Sequence, residues 1–344
     1  MTALSRLAAA FAVLLAAALP GACAPAAKRV PAPSPAAPIA TPVELHGQLR
    51  VENGYLVGSH GRRVALRGMS LFWSQWKPQF YDAGVVRNLR DDWGASVVRA
   101  AIAVEQGGYL TDRAAAMRQA RTVIDAAIRD GIYVIVDWHA HNPHPAAAAE
   151  FFAEIARAYG DRPNVIYELW NEPYPRYDWA RDIKPYHEAL GARIRAIDPD
   201  AVLALGTPSW ASRPDIAAAN PVSLGNVAYV MHFYAASHGD DMRAHVSRAV
   251  TAGAAVMATE WGTCEYTGDG RVDPEATARW MRLLDEHAIT AANWSLNDKR
   301  ESCAALLPGT APAQIGDPAR RTASGRLVHG YLRRAAGRHS GAER

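Results

Sequence analysis

Nine side chains that can bind, carry charge or move protons stand at the ends of apolar runs in this sequence. They are Arg99, Asp137, His139, Asn171, Glu172, His232, Tyr234, Glu260 and Trp294. A charged or hydrogen-bonding group in such a place is costly unless it is paired or used. Two of the nine are glutamates, Glu172 within LWNEPY and Glu260 within ATEWGT. Two carboxylates facing each other across a cleft can divide the work of cleaving a glycosidic bond. One stays protonated to donate to the leaving oxygen; the other stays ionised to attack or to activate water. Glu168 and Glu265 are the competitors. Glu168 lies four residues before Glu172, on the same side by strand alternation, and is expected deeper in the fold. Glu265 falls in a Gly-rich loop and is expected at the rim or in solvent. His139, His141 and His144 form an HxHxxH cluster that metal-dependent hydrolases also use. A metal would want further His or Asp ligands at later strand ends, where His232 is available but the partner positions hold Trp210 and Glu260 instead. The Asp269 loop lacks an EF-hand ligand pattern. No metal and no cofactor is expected.

Those residues need a frame that gathers the ends of many strands at one place. Eight strand-like runs occur, at 64–71, 96–103, 133–139, 165–173, 202–210, 227–234, 255–262 and 289–296. They are continuous apolar or β-branched runs, as parallel strands buried on both faces require. Between them lie amphipathic stretches; RAAAMRQARTVIDAAIRDG repeats apolar residues at three- and four-residue steps and stops at Gly131. Eight βα units predict an α/β fold, the (β/α)8 TIM barrel, whose active site lies at the C-terminal ends of the strands. A doubly wound open sheet is the alternative, but no GxGxxG turn follows the first strand. The segment 49–58, with its Asn-Gly turn, predicts an N-terminal β-hairpin plugging the barrel bottom.

The ends of the chain carry other signals. Residues 1–22 read as a signal peptide: Arg6, then an apolar run too short to span a bilayer comfortably. LPGAC resembles a bacterial lipobox with Cys23 as the lipidated residue, although Pro20 departs from it; cleavage without lipidation is the other route. Residues 23–46 are rich in Ala and Pro and predict an extended linker. A catalytic domain is then expected over 47–335, followed by a disordered tail at 336–344. Cys264 and Cys303 follow the seventh and eighth strands, so neighbouring loops make a disulfide feasible; two free thiols are the alternative. The net charge is only +3 and the Lys and Arg are scattered, which argues against nucleic acid as a partner. Lysine occurs four times and tryptophan ten, a balance that points to aromatic recognition of a flat ligand.

Nine strings in order, among them LRGMSLFWSQW, GIYVIVDWHAHNPH, NVIYELWNEPY, AYVMHFYAASHG, ATEWGTCEYTGDG and NWSLNDKRESCAAL, resemble glycoside hydrolase family 5, its bacterial endoglucanase (cellulase) branch. The resemblance runs from about Leu49 to Leu306. It implies a secreted or cell-envelope, retaining endo-β-1,4-glucanase that takes a β-glucan chain, acts as a monomer and is tethered to a membrane if Cys23 is lipidated. It implies Glu172 as acid/base, Glu260 as nucleophile, and Asn171 as partner of the sugar 2-hydroxyl. Arg99 would keep the nucleophile ionised, with Tyr234, His232 and His139 lining the site. Trp294 would floor a glucose ring; Lys299 and Glu301 would bind hydroxyls further away, and Trp76 and Trp210 would serve as platforms. Leu71, Phe72 and Ala103 replace residues that family members often supply as tyrosine or histidine, and Trp73, Trp76 and Tyr109 are expected to compensate. A glycanase for mannan, xyloglucan or mixed-linkage glucan, a non-catalytic carbohydrate binder and a metal-dependent hydrolase are the rival readings.

Overall fold

A computed structural model describes residues 40–341. The signal segment, Cys23 and the linker as far as residue 39 lie outside the described residues. A hairpin of β1 (Arg50–Glu52) and β2 (Tyr55–Val57) precedes eight parallel strands. These are β3 (Arg67–Leu71), β4 (Val97–Ala103), β5 (Tyr133–His139), β6 (Val165–Glu168), β7 (Val202–Leu205), β8 (Val227–Tyr234), β9 (Val256–Gly262) and β10 (Thr290–Leu296). They pair in sequence order, and β10 closes on β3. This is the (β/α)8 barrel, and all eight predicted runs contribute a strand. Every residue of β4, β5, β9 and β10 is buried, which accounts for the absence of polar alternation in their sequences.

The barrel interior has two tiers. Val97, Ile135, Ile166, Val202, Val230 and Met257 fill the lower one and pack with Leu49 and Leu56 beside the hairpin. Asn53 and Gly54 both take positive φ, 51° and 78°, as a tight two-residue turn demands. The hairpin is tied down where the Val51 amide donates to Asn226 Oδ1 at 2.6 Å. Two residues further along, five of these six strands turn polar at the same inward position, with Arg99, Asp137, Glu168, His232 and Thr259, while β7 places Ala204 there. Strand alternation thus puts an apolar plug under a charged floor.

Two boundaries differ from the sequence reading. Residues 42–46, assigned to the linker, form a short helix (Pro42–His46) capped by Thr41 and Glu44 as a capping box. It is anchored by the Val43 amide on Gly131 O at 3.0 Å. The tail assigned as disordered over 336–344 is helical as far as Gly341, in a helix beginning at Ala323. Val328, Tyr331, Leu332 and Ala335 are buried. Their spacing is i, i+3, i+4, i+7, an apolar stripe that ends at Ala335, so the helix runs on past its last buried residue into the polar segment assigned to the tail. Tyr331 accepts from Arg67 Nε at 2.6 Å, donates to Asp285 at 3.0 Å and meets Trp261 edge-on. A chain ending at Arg326 is therefore expected to lose at least about 3 kcal/mol of unfolding free energy, since several buried side chains leave together. Urea denaturation checks this; an unchanged midpoint would make the helix dispensable.

Candidate active site

Arg99 is the centre of the polar tier, with no exposure to solvent. Its Nε and Nη2 donate to the two oxygens of Glu168 at 2.8 and 3.1 Å. Nη2 also reaches Asn171 Oδ1 at 2.6 Å and Asp137 Oδ2 at 2.8 Å, and Nη1 donates to Glu260 Oε2 at 3.0 Å. Burial works against its charge, but Asp137, Glu168 and Glu260 overcome that and raise its pKa. Burial likewise opposes ionisation of Glu168, yet the guanidinium holds its pKa at about 2. Burial pushes Asp137 well above the usual carboxylate value despite Arg99. Its Oδ2 lies 2.6 Å from His139 Nδ1. Burial, with Arg99 nearby, drives His139 far down, so that ring is neutral.

Glu260 and Glu172 face each other above this floor. Glu260 Oε1 accepts from the Tyr234 hydroxyl at 2.7 Å. Burial raises the Glu260 pKa and Glu172 adds to it, while His232, Arg99 and Tyr234 favour the charge. The balance lies above the ordinary value, whereas the sequence reading has Arg99 lowering it; complete desolvation is the reason. Glu172 is half-buried and lies beyond β6, which stops at Glu168. Its amide donates to Ala140 O at 3.3 Å and that of Asn171 to Trp138 O at 3.2 Å, so the end of β5 fixes both residues. Glu172 Oε1 is 2.9 Å from His232 Nδ1. One oxygen of each glutamate and a ring nitrogen of His232 lie within 4.8 Å of one another. Such a trio has metal-ligating chemistry, but the neighbouring Arg99 and the pairing of His232 with Glu172 and Thr259 disfavour a cation there.

Aromatic side chains surround the pair. Trp294 is buried, stacked parallel to His139 at 5.3 Å and packed on Phe72. Trp76 and Trp210 are each about half exposed, at 48% and 49%. Ser209, Trp210 and Ala211 all take positive φ near 55°, each costing roughly 1–3 kcal/mol, a strain tolerated where it serves a site. The Trp210 amide donates to Pro173 O at 2.9 Å, tying this platform to the Glu172 loop. Lys299 and Glu301 pair with each other at 2.6 Å, with the ammonium 5.4 Å from the Phe72 ring. Cys264 and Cys303 form a disulfide that joins the loops after β9 and β10.

The structure gathers every residue singled out in the sequence at this one end of the barrel, with two differences. Tyr109, expected to line the cleft, is buried against Trp138 and Phe151. Trp138, Trp170 and Trp261, which adjoin His139, Asn171 and Glu260 in sequence, are fully buried and pack behind them rather than lining the cleft. Sequence reasoning missed Thr259, whose hydroxyl reaches Glu168 Oε1 at 2.8 Å. Alternation would put Thr259 and Glu260 on opposite faces. The pairing of β9 slips by one residue against both β8 and β10 here, a bulge that turns both inward.

A closed parallel barrel with opposed carboxylates on an arginine floor, framed by tryptophans, defines a barrel of the glycosidase type. Residues 57–300 match the model of the family described as Cellulase (glycosyl hydrolase family 5), and the chain belongs to that family. It is 42% identical over 262 residues to Endoglucanase Z of Dickeya dadantii, an alignment covering 74% of this chain and 61% of that protein. Against Endoglucanase N of Pectobacterium atrosepticum it is 38% identical over 302 residues, 86% of this chain and 68% of the other. The chain thus spans about three fifths to two thirds of these relatives' length. The catalytic domain of Thermobifida fusca endoglucanase Cel5A superposes with a TM-score of 0.81 at 37% identity, over 86% of this chain and 100% of that one. A structure from Cytophaga hutchinsonii superposes with a TM-score of 0.87 at 43% identity, over 88% and 100%.

Removing the guanidinium leaves three buried carboxyl groups without their common partner. Arg99→Ala is expected to cost about 3–5 kcal/mol, and Arg99→Lys to recover only part of it, because one ammonium lacks the planar fork. Chemical denaturation of the two variants measures the difference; a neutral Arg99→Ala would contradict the reading.

Proposed function

We propose that this chain is a retaining endo-β-1,4-glucanase that cleaves internal bonds of soluble or amorphous β-glucan by double displacement. The observation that carries this is the closeness of the two carboxylates, with oxygens within 4.8 Å. Retention goes with carboxyl groups about 5–5.5 Å apart, inversion with about 6.5–9.5 Å. Glu260 attacks the anomeric carbon as the bond to the glycosidic oxygen breaks, and the Glu172 proton goes to that oxygen. Water then attacks the same carbon, gives a proton to Glu172 and frees Glu260. Donation from Arg99 fixes the Asn171 amide with Oδ1 towards the guanidinium, leaving its NH2 for the sugar 2-hydroxyl. Trp294 floors the ring under attack, with His139 behind it. Trp76 and Trp210 flank the pair as stacking surfaces for neighbouring rings, and Lys299 and Glu301 present polar groups to their hydroxyls.

The relatives support β-glucan as the substrate: two are named endoglucanases, and a variant of the Thermobifida fusca domain is solved with cellotetraose. Export through residues 1–22, as a free or Cys23-anchored monomer on an Ala/Pro spacer, belongs to the same reading. The spacer then ends near residue 40 and the catalytic domain runs from Thr41 to the end of the last helix.

Glu260→Ala is expected to abolish hydrolysis of carboxymethylcellulose without unfolding. Glu172→Ala should lose about 10²–10⁴-fold on polysaccharide, and azide should restore its turnover of 2,4-dinitrophenyl cellobioside. Anomeric NMR of cello-oligosaccharide products should give the β-anomer first; an initial α-anomer would overturn the mechanism. Because Glu260 must be ionised to attack and burial raises its pKa, the acid limb of kcat/KM should lie above the ~4.3 of a free glutamate. A panel of mannan, xyloglucan and mixed-linkage glucan tests the substrate class separately.

A further inference from the structure

Below the two carboxylates runs a chain of hydrogen bonds that double displacement does not by itself require. Glu172 Oε1 lies 2.9 Å from His232 Nδ1. His232 Nε2 lies 3.0 Å from Thr259 Oγ1, which lies 2.8 Å from Glu168 Oε1. Glu168 and Thr259 have no solvent exposure, so no water competes for these groups. Both oxygens of Glu168 accept from Arg99, and the group is ionised.

Hydrogen-bond counting then leaves one solution. An ionised carboxylate only accepts, so the single hydroxyl hydrogen of Thr259 goes to Glu168. Towards His232 the threonine oxygen can therefore only accept, and Nε2 must carry a hydrogen. A neutral imidazole has one N–H, which leaves Nδ1 as a lone pair aimed at Glu172. One hydrogen lies between these two atoms, either on the carboxyl or on the ring.

We propose that Glu168 and Thr259 are positioning residues that lock His232 in its Nε2–H form, so that His232 Nδ1 and Glu172 hold one proton in common. The proposal rests on Glu172 being the acid/base. As the glycosidic bond breaks, the shared proton passes from Glu172 to the departing oxygen, leaving a carboxylate facing a neutral ring. When water attacks the covalent intermediate, its proton returns to Glu172 and the pair is restored. The ring stores the proton between turnovers and the carboxyl delivers it.

The charges around His232 favour keeping that proton. Glu168 and Glu172 face it from β6 and the following loop, and Glu260 from β9. Arg99 on β4 and His139 on β5 work in the other direction; Asp137 on β5 and the Tyr234 hydroxyl on its own strand also face the ring, and His141, just beyond β5, stands 3.7 Å from the other oxygen of Glu172. Burial disfavours the imidazolium, but Glu260, Glu168 and Glu172 together raise the ring to about 9.

Thr259→Val removes the acceptor for Nε2–H. Glu168 Oε1 lies 3.6 Å from Nε2, beyond hydrogen-bond reach, so the ring then either leaves that hydrogen unbonded or moves it to Nδ1, where it favours ionised Glu172; both lower the pair's hold on its proton. The expected result is an alkaline limb of kcat/KM moved down by about one pH unit and a rate at the optimum about tenfold lower. Thr259→Ser should restore both. Glu168→Gln, which removes the charge at the end of the chain, should move the limb in the same direction and gives the same reading if Thr259→Val does not fold. A limb that stays at its parental pH in a folded variant, whatever the rate, overturns the proposal, because a merely structural role lowers rate or stability without moving it. Failure of the acid/base assignment would look different: Glu172→Ala would then be equally slow on polysaccharide and on 2,4-dinitrophenyl cellobioside with azide.

Discussion

The site depends on one buried cation. Arg99 stands in the dry interior of the barrel, and Glu168, Glu260, Asp137 and Asn171 are all positioned by their bonds to it. A guanidinium suits this because its donors lie in a rigid plane and can serve several acceptors at fixed angles. Taking such charges out of water costs several kcal/mol per ion, so the cluster is poor evidence of stability in its own right. Its value is geometric. With Arg99 as hub, a shift in one carboxylate is resisted by the other three partners, and Glu260 on β9 is held in register with Asn171 in the loop after β6.

A charged cluster of that kind needs a stiff support and a dry base. The lower tier supplies both, since apolar side chains from β4 to β9 fill the barrel and the hairpin seals the end away from the site. Apolar packing below sets the charges in a buried layer, and burial is the leading influence on the titration of Arg99, Asp137, His139, Glu168, His232, Tyr234 and Glu260. The same dryness separates the carboxylates by role. Glu168, gripped on both oxygens, is driven down, whereas Glu260, with one arginine contact and Glu172 opposite, is driven up.

Most of this frame was legible in the sequence because the signals were redundant. Eight apolar runs at βα spacing fix a barrel, and strand alternation alone predicts that Arg99 and Glu168 point inward above an apolar layer. Less legible was anything that breaks a period. The bulge in β9 adds one residue without leaving a mark in ATEWGT, so alternation counted from Met257 turns Thr259 inward but Glu260 outward, and counted back from Glu260 it turns Thr259 outward; only the bulge lets both face in. The final helix was cut short because its stripe begins at Val328 and only Ala335 lies beyond the point where polar residues dominate. Tyr109 was misplaced for another reason: an aromatic in a loop after a strand can face the cleft or fold back onto the core, and only packing against Trp138 and Phe151 decides.

The tryptophans show how binding and catalysis are kept apart in this molecule. Trp294 is part of the floor, stacked on His139, whose own orientation is set by Asp137 and through it by Arg99. Under the proposed function, a sugar ring resting there is registered against the same hub that holds Glu260. Trp76 and Trp210 stand half exposed on loops, outside the arginine network. Trp210 in particular sits in the middle of three residues at positive φ, a backbone that ordinary packing would not select. Strain of that sort persists when the surrounding contacts over-determine it, and the amide bond to Pro173 O links it to the loop of Glu172. Trp210 is thus positioned relative to Glu172, while Trp294 is positioned, through His139 and Asp137, relative to the arginine that holds Glu260. Under the proposed function, a sugar chain spanning both brings its scissile oxygen between the two carboxylates, so the alignment of the bond is set by two separate structural routes that meet only at the substrate.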